Sequence, residues 1–246
     1  MVVHLEYYDV DVVELEPLPA NLIAIEGLPD IGLVGVISSF HLVEKMRMRP
    51  VAYFKSAALP PIQSVKMGLI QEPLAAYSDG KLLVITSEVP IPAALVKNLS
   101  RTIADWFYEK RIAFAVSLNG YPTQRRIEIQ KPEVVGVSNS EKGLEILKEK
   151  GIKPLEEGFV AGIFAELLSL LKDRSIDAYA IIAESFPTYP DPGAAASALE
   201  ALSKLLDIKI DVQELLEKAD EIRLNLKDLS ARATQNKMEA MPSMYR

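Results

Sequence analysis

Residues 22–35 read LIAIEGLPDIGLVG, and this stretch decides the fold class of the 246-residue chain. A short apolar run, Leu22 to Ile25, ends at Gly27 and is followed by a proline and a long apolar segment from Ile31 to Met48. This order predicts a strand, a tight loop and a helix whose first turns are buried. The apolar residues 51–54 predict the next strand, so a βαβ unit opens the domain.

The next two β-like runs, between Leu69 and Glu88, flank Asp79 and Gly80. This dipeptide readily supplies the positive φ angles of a two-residue hairpin turn, which predicts an antiparallel strand pair. Pro73 lies inside the first run and has no N–H to donate to a neighbouring strand. We therefore expect that run to be an edge strand, and the sheet to be mixed.

The rest of the chain alternates between helical and strand patterns. Strands are predicted at Ile112–Leu118, Val134–Val137 and Ala178–Ala183, and helices at Pro92–Lys110, Glu141–Lys150, Val160–Leu171 and Ala194–Leu206. Such alternation predicts an α/β fold with a mostly parallel sheet covered by helices on both faces. The sequence shows neither a long linker nor an internal repeat.

Composition excludes several classes of function. Hydrophobic residues make up 49% of the chain, which is enough for a large buried core. The net charge of -7 gives no basic field that would attract nucleic acid or anionic lipid. No apolar run approaches the length that spans a bilayer, and residues 1–6 show no basic segment followed by an apolar core, so we expect neither export nor membrane insertion. Cysteine is absent, which is compatible with the cytoplasm. We expect a cytoplasmic protein with no nucleic-acid or membrane partner.

The segment from Asp211 to about Ala233 has apolar residues at alternating steps of three and four, a heptad-like seam. Such a helix can pack on its own domain or on a partner subunit, and the pattern does not choose between the two. If it joins subunits, the oligomerisation residues are Val212, Leu215, Ala219, Ile222, Leu226 and Leu229.

Gly27, Gly32 and Gly35 lie where a strand turns into a helix, a place where backbone N–H groups can hold a phosphate. Their spacing matches neither a Walker loop nor the dinucleotide fingerprint, so close helix packing and a turn are the preferred explanation. The two histidines, His4 and His41, form no metal-binding pattern. We predict no catalytic residue, no metal and no cofactor.

Three predicted strand ends carry polar residues and prolines. Their sequences are Ser87-Glu88-Val89-Pro90, Asn119-Gly120-Tyr121-Pro122 and Glu184-Ser185-Phe186-Pro187. If the strands are parallel, these ends converge at the edge where open α/β sheets bind ligands. Glu88, Asn119 and Glu184, together with Gly32, are then the residues of a possible small-molecule site. The alternative is that prolines and small polar residues simply end the strands.

The sequence ends in Met244-Tyr245-Arg246, a hydrophobic residue, a tyrosine and a terminal residue in that order. Such an ending can act as a docking peptide whose side chains fix the depth of the carboxylate in a pocket. A frayed terminus is the alternative. Residues 234–243 contain polar residues and a proline, and predict a flexible lead to this motif.

Four motifs together resemble the archaeal proteasome assembly chaperone family, over about Asn21 to Leu206. They are Gly27-Leu28-Pro29-Asp30-Ile31-Gly32-Leu33-Val34-Gly35, Ser87-Glu88-Val89-Pro90, Asn119-Gly120-Tyr121 and Pro190-Asp191-Pro192-Gly193-Ala194-Ala195.

The resemblance implies a three-layer α/β domain similar to the nucleoside phosphorylase core. It also implies homo-oligomers built partly through C-terminal helices, and binding to the α ring of the 20S proteasome without ATP. In that setting Met244, Tyr245 and Arg246 look like the hydrophobic-tyrosine-any motif by which activators enter pockets between α subunits.

The expected organisation is an α/β domain over residues 1–206, an amphipathic helix over 207–233 and a tail over 234–246. Two alternatives remain open. One is a nucleotide- or nucleoside-binding enzyme that uses the strand-end crevice, and the other is an oligomeric scaffold.

Overall fold

The computed structural model describes residues 9–222, and the predicted tail lies outside them. The helices are α1 (Val34–Lys45), α2 (Val96–Glu109), α3 (Glu141–Glu149), α4 (Ile163–Asp173) and α5 (Pro192–Leu206). The strands are β1 (Asp11–Glu14), β2 (Ile23–Gly27), β3 (Arg49–Lys55), β4 (Ser64–Lys66), β5 (Leu69–Gln71), β6 (Leu74–Ser78), β7 (Leu82–Ser87), β8 (Phe114–Pro122), β9 (Val134–Ser138), β10 (Lys153–Pro154) and β11 (Ala178–Ser185).

Nine of these strands form one sheet in the order β1-β3-β6-β7-β2-β8-β11-β9-β10. At its centre β7, β2, β8 and β11 are parallel neighbours. Toward one edge β6, β3 and β1 pair antiparallel, and on the other side β9 is antiparallel to β11. The sheet is mixed, as predicted. The expectation of a mostly parallel sheet is wrong, because half of the strand pairs within this nine-stranded sheet are antiparallel.

Helices cover both faces of the sheet, which gives three layers. On one face α2 and α4 pack together over a core that includes Phe54, Leu99 and Leu167. On the other face α1 and α5 pack over a second core that includes Ile25 and Leu199. The central strands are buried on both faces, which explains why they are continuous apolar runs in the sequence.

The predicted βαβ unit takes a wider form in the structure. Strands β2 and β3 run in the same direction around α1, but β7 and β6 lie between them in the sheet. The hairpin through Asp79 and Gly80 is present as β6 and β7, and Gly80 has a φ of 89°. The prediction that its first arm is an edge strand is wrong, because β6 lies between β3 and β7 in the sheet. Pro73 precedes β6, so its missing N–H is not needed for strand pairing, and its carbonyl accepts from the Glu88 N–H.

The first helix begins later than the sequence pattern predicts. Residues Ile31–Leu33 form a 3-10 turn in which Gly32 and Leu33 have φ angles of 67° and 52°, so the regular helix begins at Val34. Behind this turn a Cβ on Gly35 would lie 2.5 Å from the Leu118 carbonyl oxygen. The glycine therefore allows close packing of α1 on the sheet.

Residues 213–222 are helical and lie at the end of the described chain. Val212 and Leu215 are buried in the core that α1 and α5 cover. Asp211 O lies 2.5 Å from the His41 Nε2, and Lys45 forms a 3.0 Å ion pair with Glu214. This helix is therefore fixed to α1 at its first turn.

Candidate functional site

The carboxyl ends of the four central parallel strands lie at one edge of the sheet, where the sequence predicts a crevice. Asn119 is buried there, and its side-chain Nδ2 has no hydrogen-bond partner among the described residues. Glu88 is exposed and accepts a 2.9 Å hydrogen bond from the Ser64 hydroxyl, beside the small β4–β5 sheet. Glu88 and Asn119 therefore lie at the same edge of the sheet, but of these two only Asn119 is buried.

Glu184 lies next to Tyr121 across the β11–β8 pair. Its Oε2 accepts a 3.0 Å hydrogen bond from the Glu133 backbone N–H. Partial burial and then the negative charge of Glu184 raise the pKa of Tyr121 to about 12. Glu184 thus ties β11 to the segment before β9.

Gly32 has a packing role. A Cβ at this position would lie 1.8 Å from the Ser185 hydroxyl oxygen, and the Gly32 carbonyl accepts a 2.8 Å hydrogen bond from the Asp191 N–H. The loop after β2 is therefore pressed against the end of β11. Of the four predicted crevice residues, Gly32 and Glu184 therefore contact neighbouring segments at this edge of the sheet, Gly32 by packing and Glu184 by a hydrogen bond.

Glu26 is a buried acid that the sequence patterns did not single out. Its side chain is 3% exposed, its Oε1 accepts a 2.8 Å hydrogen bond from the Leu28 N–H, and its Oε2 has no partner among the described residues. Burial raises the pKa of Glu26 to about 7, although the Leu28 N–H and the Ser117 hydroxyl lower it. An acid inside a run of otherwise buried apolar residues was the signal that could have identified it.

Asp30 is the second missed acid. Its two carboxylate oxygens accept hydrogen bonds from the Gly35 N–H at 3.0 Å and from the Gly120 N–H at 2.5 Å. Burial raises the pKa of Asp30 to about 7, the two N–H groups lower it, and the charge of Glu26 raises it further. Asp30 thus joins the first turn of α1 to β8.

These acids line a cavity of about 160 Å³ together with Asn119. A second cavity of about 390 Å³ adjoins it and shares four lining residues with it. The walls of the second cavity are mostly apolar. The shared residues are Ile31, Gly120, Ala161 and Phe164.

The geometry argues against phosphate binding at the start of α1. The Asp30 carboxylate already accepts the Gly35 N–H, so an acid occupies the place that an anion would take. The described residues that line the two cavities include no Lys, Arg or His. Within residues 9–222 no cluster of three acidic or histidine side chains could hold a metal ion. No helix in that range has the length and apolar content needed to cross a membrane.

A buried ion pair that holds the loop between β11 and α5 was also missed from the sequence. Arg126 donates to both carboxylate oxygens of Asp191, at 2.7 and 2.9 Å, and to the Ile129 carbonyl at 2.6 Å. Asp191 in turn accepts from the Ala194 N–H at the start of α5 and from the Phe186 N–H. The pair fixes the loop between β11 and α5, where one of the four sequence motifs lies.

The predicted seam and tail residues are only partly described. Val212 and Leu215 are buried against their own domain, and Ala219 and Ile222 are half-buried. The remaining predicted contact residues lie outside the described part of the chain. They are Leu226 and Leu229 of the seam, and Met244, Tyr245 and Arg246 of the tail.

The fold and its cavities define a three-layer α/β domain with two buried acids at the carboxyl ends of its central parallel strands. The PAC2 family model matches residues 24–230, which is most of the sequence. The chain therefore belongs to the PAC2 family.

Solved structures and a sequence relative agree with this assignment. Pyrococcus furiosus PbaA, described as an archaeal homolog of proteasome-assembly chaperone, has 27% identity and a TM-score of 0.83 over 94% of this chain and 95% of its own. Pyrococcus furiosus PbaB, described as an archaeal proteasome activator, shares the fold at 24% identity, with a TM-score of 0.79 over 90% and 99%. The uncharacterized protein MJ0106 of Methanocaldococcus jannaschii is 28% identical over 85% of this chain and 86% of its own. The resemblance to the archaeal proteasome assembly chaperone family is confirmed.

Proposed function

We propose that this protein is a non-enzymatic, ATP-independent proteasome assembly chaperone or activator that binds the α ring of the 20S proteasome. The observation that carries the proposal is the match to PbaA, a homolog of proteasome-assembly chaperone, over nearly the whole of both chains. Membership of the PAC2 family supports the same conclusion.

The proposed contact with the α ring is the tail Met244-Tyr245-Arg246. Met244 and Tyr245 would fill a pocket between adjacent α subunits, and the carboxylate of Arg246 would pair with a basic group there. A single tail offers two apolar side chains and one charge-assisted contact, and binding must also order the segment that carries them. Useful affinity therefore requires several tails on one oligomer.

The proposed oligomer uses the C-terminal seam beyond the residues that are buried in their own domain. Val212 and Leu215 anchor the helix to the core, and Ala219 lies against Gly193 of its own domain. The proposed contacts with a second subunit are therefore Ile222, Leu226 and Leu229. Ile222 lines a groove of about 510 Å³, and Val36, Ile37 and Phe40 of α1 also line it. An apolar groove beside the seam supports subunit contacts at this face.

The test is association of the full chain with purified 20S proteasome, measured by pull-down and by 20S peptide hydrolysis. Deletion of Met244 to Arg246, or Tyr245→Ala, is expected to abolish association. Arg246→Lys serves as the matched control and should bind like the original chain, because this residue contributes its terminus. Association that survives the deletion would refute the tail mechanism. Absence of any association of the full chain with 20S would overturn the proposed proteasome role.

The hydrolysis assay also separates the two roles. An activator is expected to increase peptide hydrolysis by mature 20S, and this increase should disappear with Tyr245→Ala. A chaperone is expected to bind separated α subunits without increasing hydrolysis.

A further inference from the structure

The smaller cavity, at the carboxyl ends of β2 and β8, contains two buried polar atoms without partners. Glu26 and Asn119 are each 3% exposed, and both line this cavity of about 160 Å³. Glu26 Oε2 and Asn119 Nδ2 have no hydrogen-bond partner among the described residues. The only other such atom in that part of the chain, Ser39 Oγ, lies on α1 and does not line the cavity.

The two side chains are neighbours on the same face of the sheet. Glu26 is paired in register with Ser117, whose hydroxyl is near enough to lower the pKa of Glu26 but lacks the geometry of a hydrogen bond to Oε2. Asn119 follows two residues further along β8. Since side chains alternate between the faces of a strand, Asn119 lies beside Glu26. One side chain offers an acceptor and the other an N–H donor, and leaving both unpaired costs the desolvation energy of two polar groups.

The charges and hydrogen-bonding groups of the cavity lining restrict the kind of ligand that can bind. Among the described residues that line the cavity there are two acids, Glu26 and Asp30, and no basic residue, so an anionic ligand is not favoured. A cation with only donors would leave the Asn119 N–H unpaired. A ligand that satisfies both atoms must present a donor and an acceptor close together, as a carboxamide or a cyclic amide does.

The apolar walls extend from this polar end into the larger cavity. Phe164 lines both cavities, and Phe159, which is fully exposed, lines the larger one. The loop that carries Phe159 ends at Gly162, whose φ of 96° favours glycine. A hydrophobic ring held between these aromatic side chains would cover exposed apolar surface.

We propose that this cavity binds a small uncharged molecule through an amide-type group, which donates an N–H to Glu26 Oε2 and accepts from Asn119 Nδ2, with its apolar part against Phe164. The site does not depend on the proposed proteasome role, and the residues that carry it belong to the folded domain. Its chemistry differs from that of a nucleotide site, because no described residue of the cavity lining neutralises a phosphate.

Three probes of nearly the same shape test this chemistry directly. Benzamide has a donor and an acceptor, benzoate has only acceptors and is negative, and benzamidine has only donors and is positive. Binding of each to the full chain can be followed by NMR, with the Asn119 side-chain NH₂ resonance as a direct reporter. Benzamide is expected to saturate at about 10 mM or below, because small fragments bind weakly, whereas benzoate should not bind.

Variants establish that the binding occurs at these atoms. Asn119→Leu removes the donor and fills the space with an apolar group, so it should weaken benzamide binding by roughly tenfold or more. Glu88→Gln, at the exposed end of β7, is the matched control and should bind benzamide normally. If Asn119→Leu does not fold, the shift of the Asn119 NH₂ resonance in the original chain decides the question.

Several results would overturn the proposal. They are no saturation by benzamide, equal binding of benzoate, unchanged binding in Asn119→Leu, or benzamide binding without a shift of the Asn119 resonance. Each would show that these two atoms do not bind an amide group, and a buried water would then be their expected partner. None of them affects the pull-down that tests the proteasome role.

Discussion

Replacement of Glu26 by glutamine should change the way in which stability depends on pH. Burial raises the pKa of Glu26 in the folded chain from 4.5 to about 7. Between these values the folded state holds a proton that the unfolded state has released. The stabilisation that the protonated acid provides is therefore present below pH 4.5 and is lost as the pH rises through about 7. Glutamine imitates the protonated acid at every pH.

The size of the effect follows from the shift in pKa. A pKa raised to about 7 from 4.5 means that ionisation of Glu26 costs the folded state about 3 kcal/mol once the acid is fully charged. Between pH 5.5 and pH 8 the original chain should therefore lose about 2 kcal/mol that Glu26→Gln retains. Removal of the Glu26 charge also lowers the pKa of Asp30, so its contribution has the same sign.

The assay is urea unfolding of both proteins at the two pH values, with the change in unfolding free energy as the quantity compared. Comparing changes removes any constant effect of the substitution itself on packing. Glu88→Gln is the control, because it makes the same substitution at an exposed acid on a neighbouring strand end. If Glu26→Gln and the original chain lose the same free energy within about 0.5 kcal/mol, the buried-acid reasoning is refuted.

Two other substitutions test the packing of the domain. Arg126→Met leaves Asp191 buried without its partner and should lower the unfolding free energy by about 3–5 kcal/mol. The control Lys131→Met breaks an exposed ion pair and should lower it by less than about 1 kcal/mol. Equal losses of unfolding free energy in chemical denaturation would contradict this assignment. Leu215→Ala should destabilise the chain by about 2–5 kcal/mol without changing its mass in solution, and the exposed neighbour Leu216→Ala should have little effect. Loss of the oligomer in Leu215→Ala at unchanged stability would show that Leu215 contacts a partner subunit instead.

The sequence predicts the centre of the sheet better than its edges, for a physical reason. Strands such as β2 and β11 are buried on both faces and leave short apolar runs bounded by turn residues, which is the pattern of a buried strand. The antiparallel edge is different, because β1 is short and half-exposed and β10 is two residues long. Which strands are neighbours depends on long-range packing. The order of elements along the chain therefore predicts the β2–α1–β3 unit, but not that β6 and β7 lie between β2 and β3 in the sheet.

The candidate site was only partly predictable, because its key contacts join distant parts of the chain. Asn119 could be proposed from its place at a strand end. Arg126 and Asp191 are 65 residues apart, and no local pattern pairs them. Glu26 was visible as an acid inside an apolar strand, but its importance depends on having Asn119 beside it. That depends on the register of β2 against β8, which the sequence does not specify.

The cavity and the C-terminal helix lie on opposite faces of the sheet, yet α1 contacts both. Asp30 accepts the Gly35 N–H at the first turn of α1, while His41 and Lys45 contact the segment that begins the C-terminal helix. A cavity variant that shifts α1 can therefore alter the proposed proteasome binding without touching the partner. Deletion of Met244 to Arg246 leaves every described residue of the cavity lining in place. The deletion is consequently the cleaner test of partner binding, and any cavity variant used in a pull-down requires its unfolding free energy to be measured alongside.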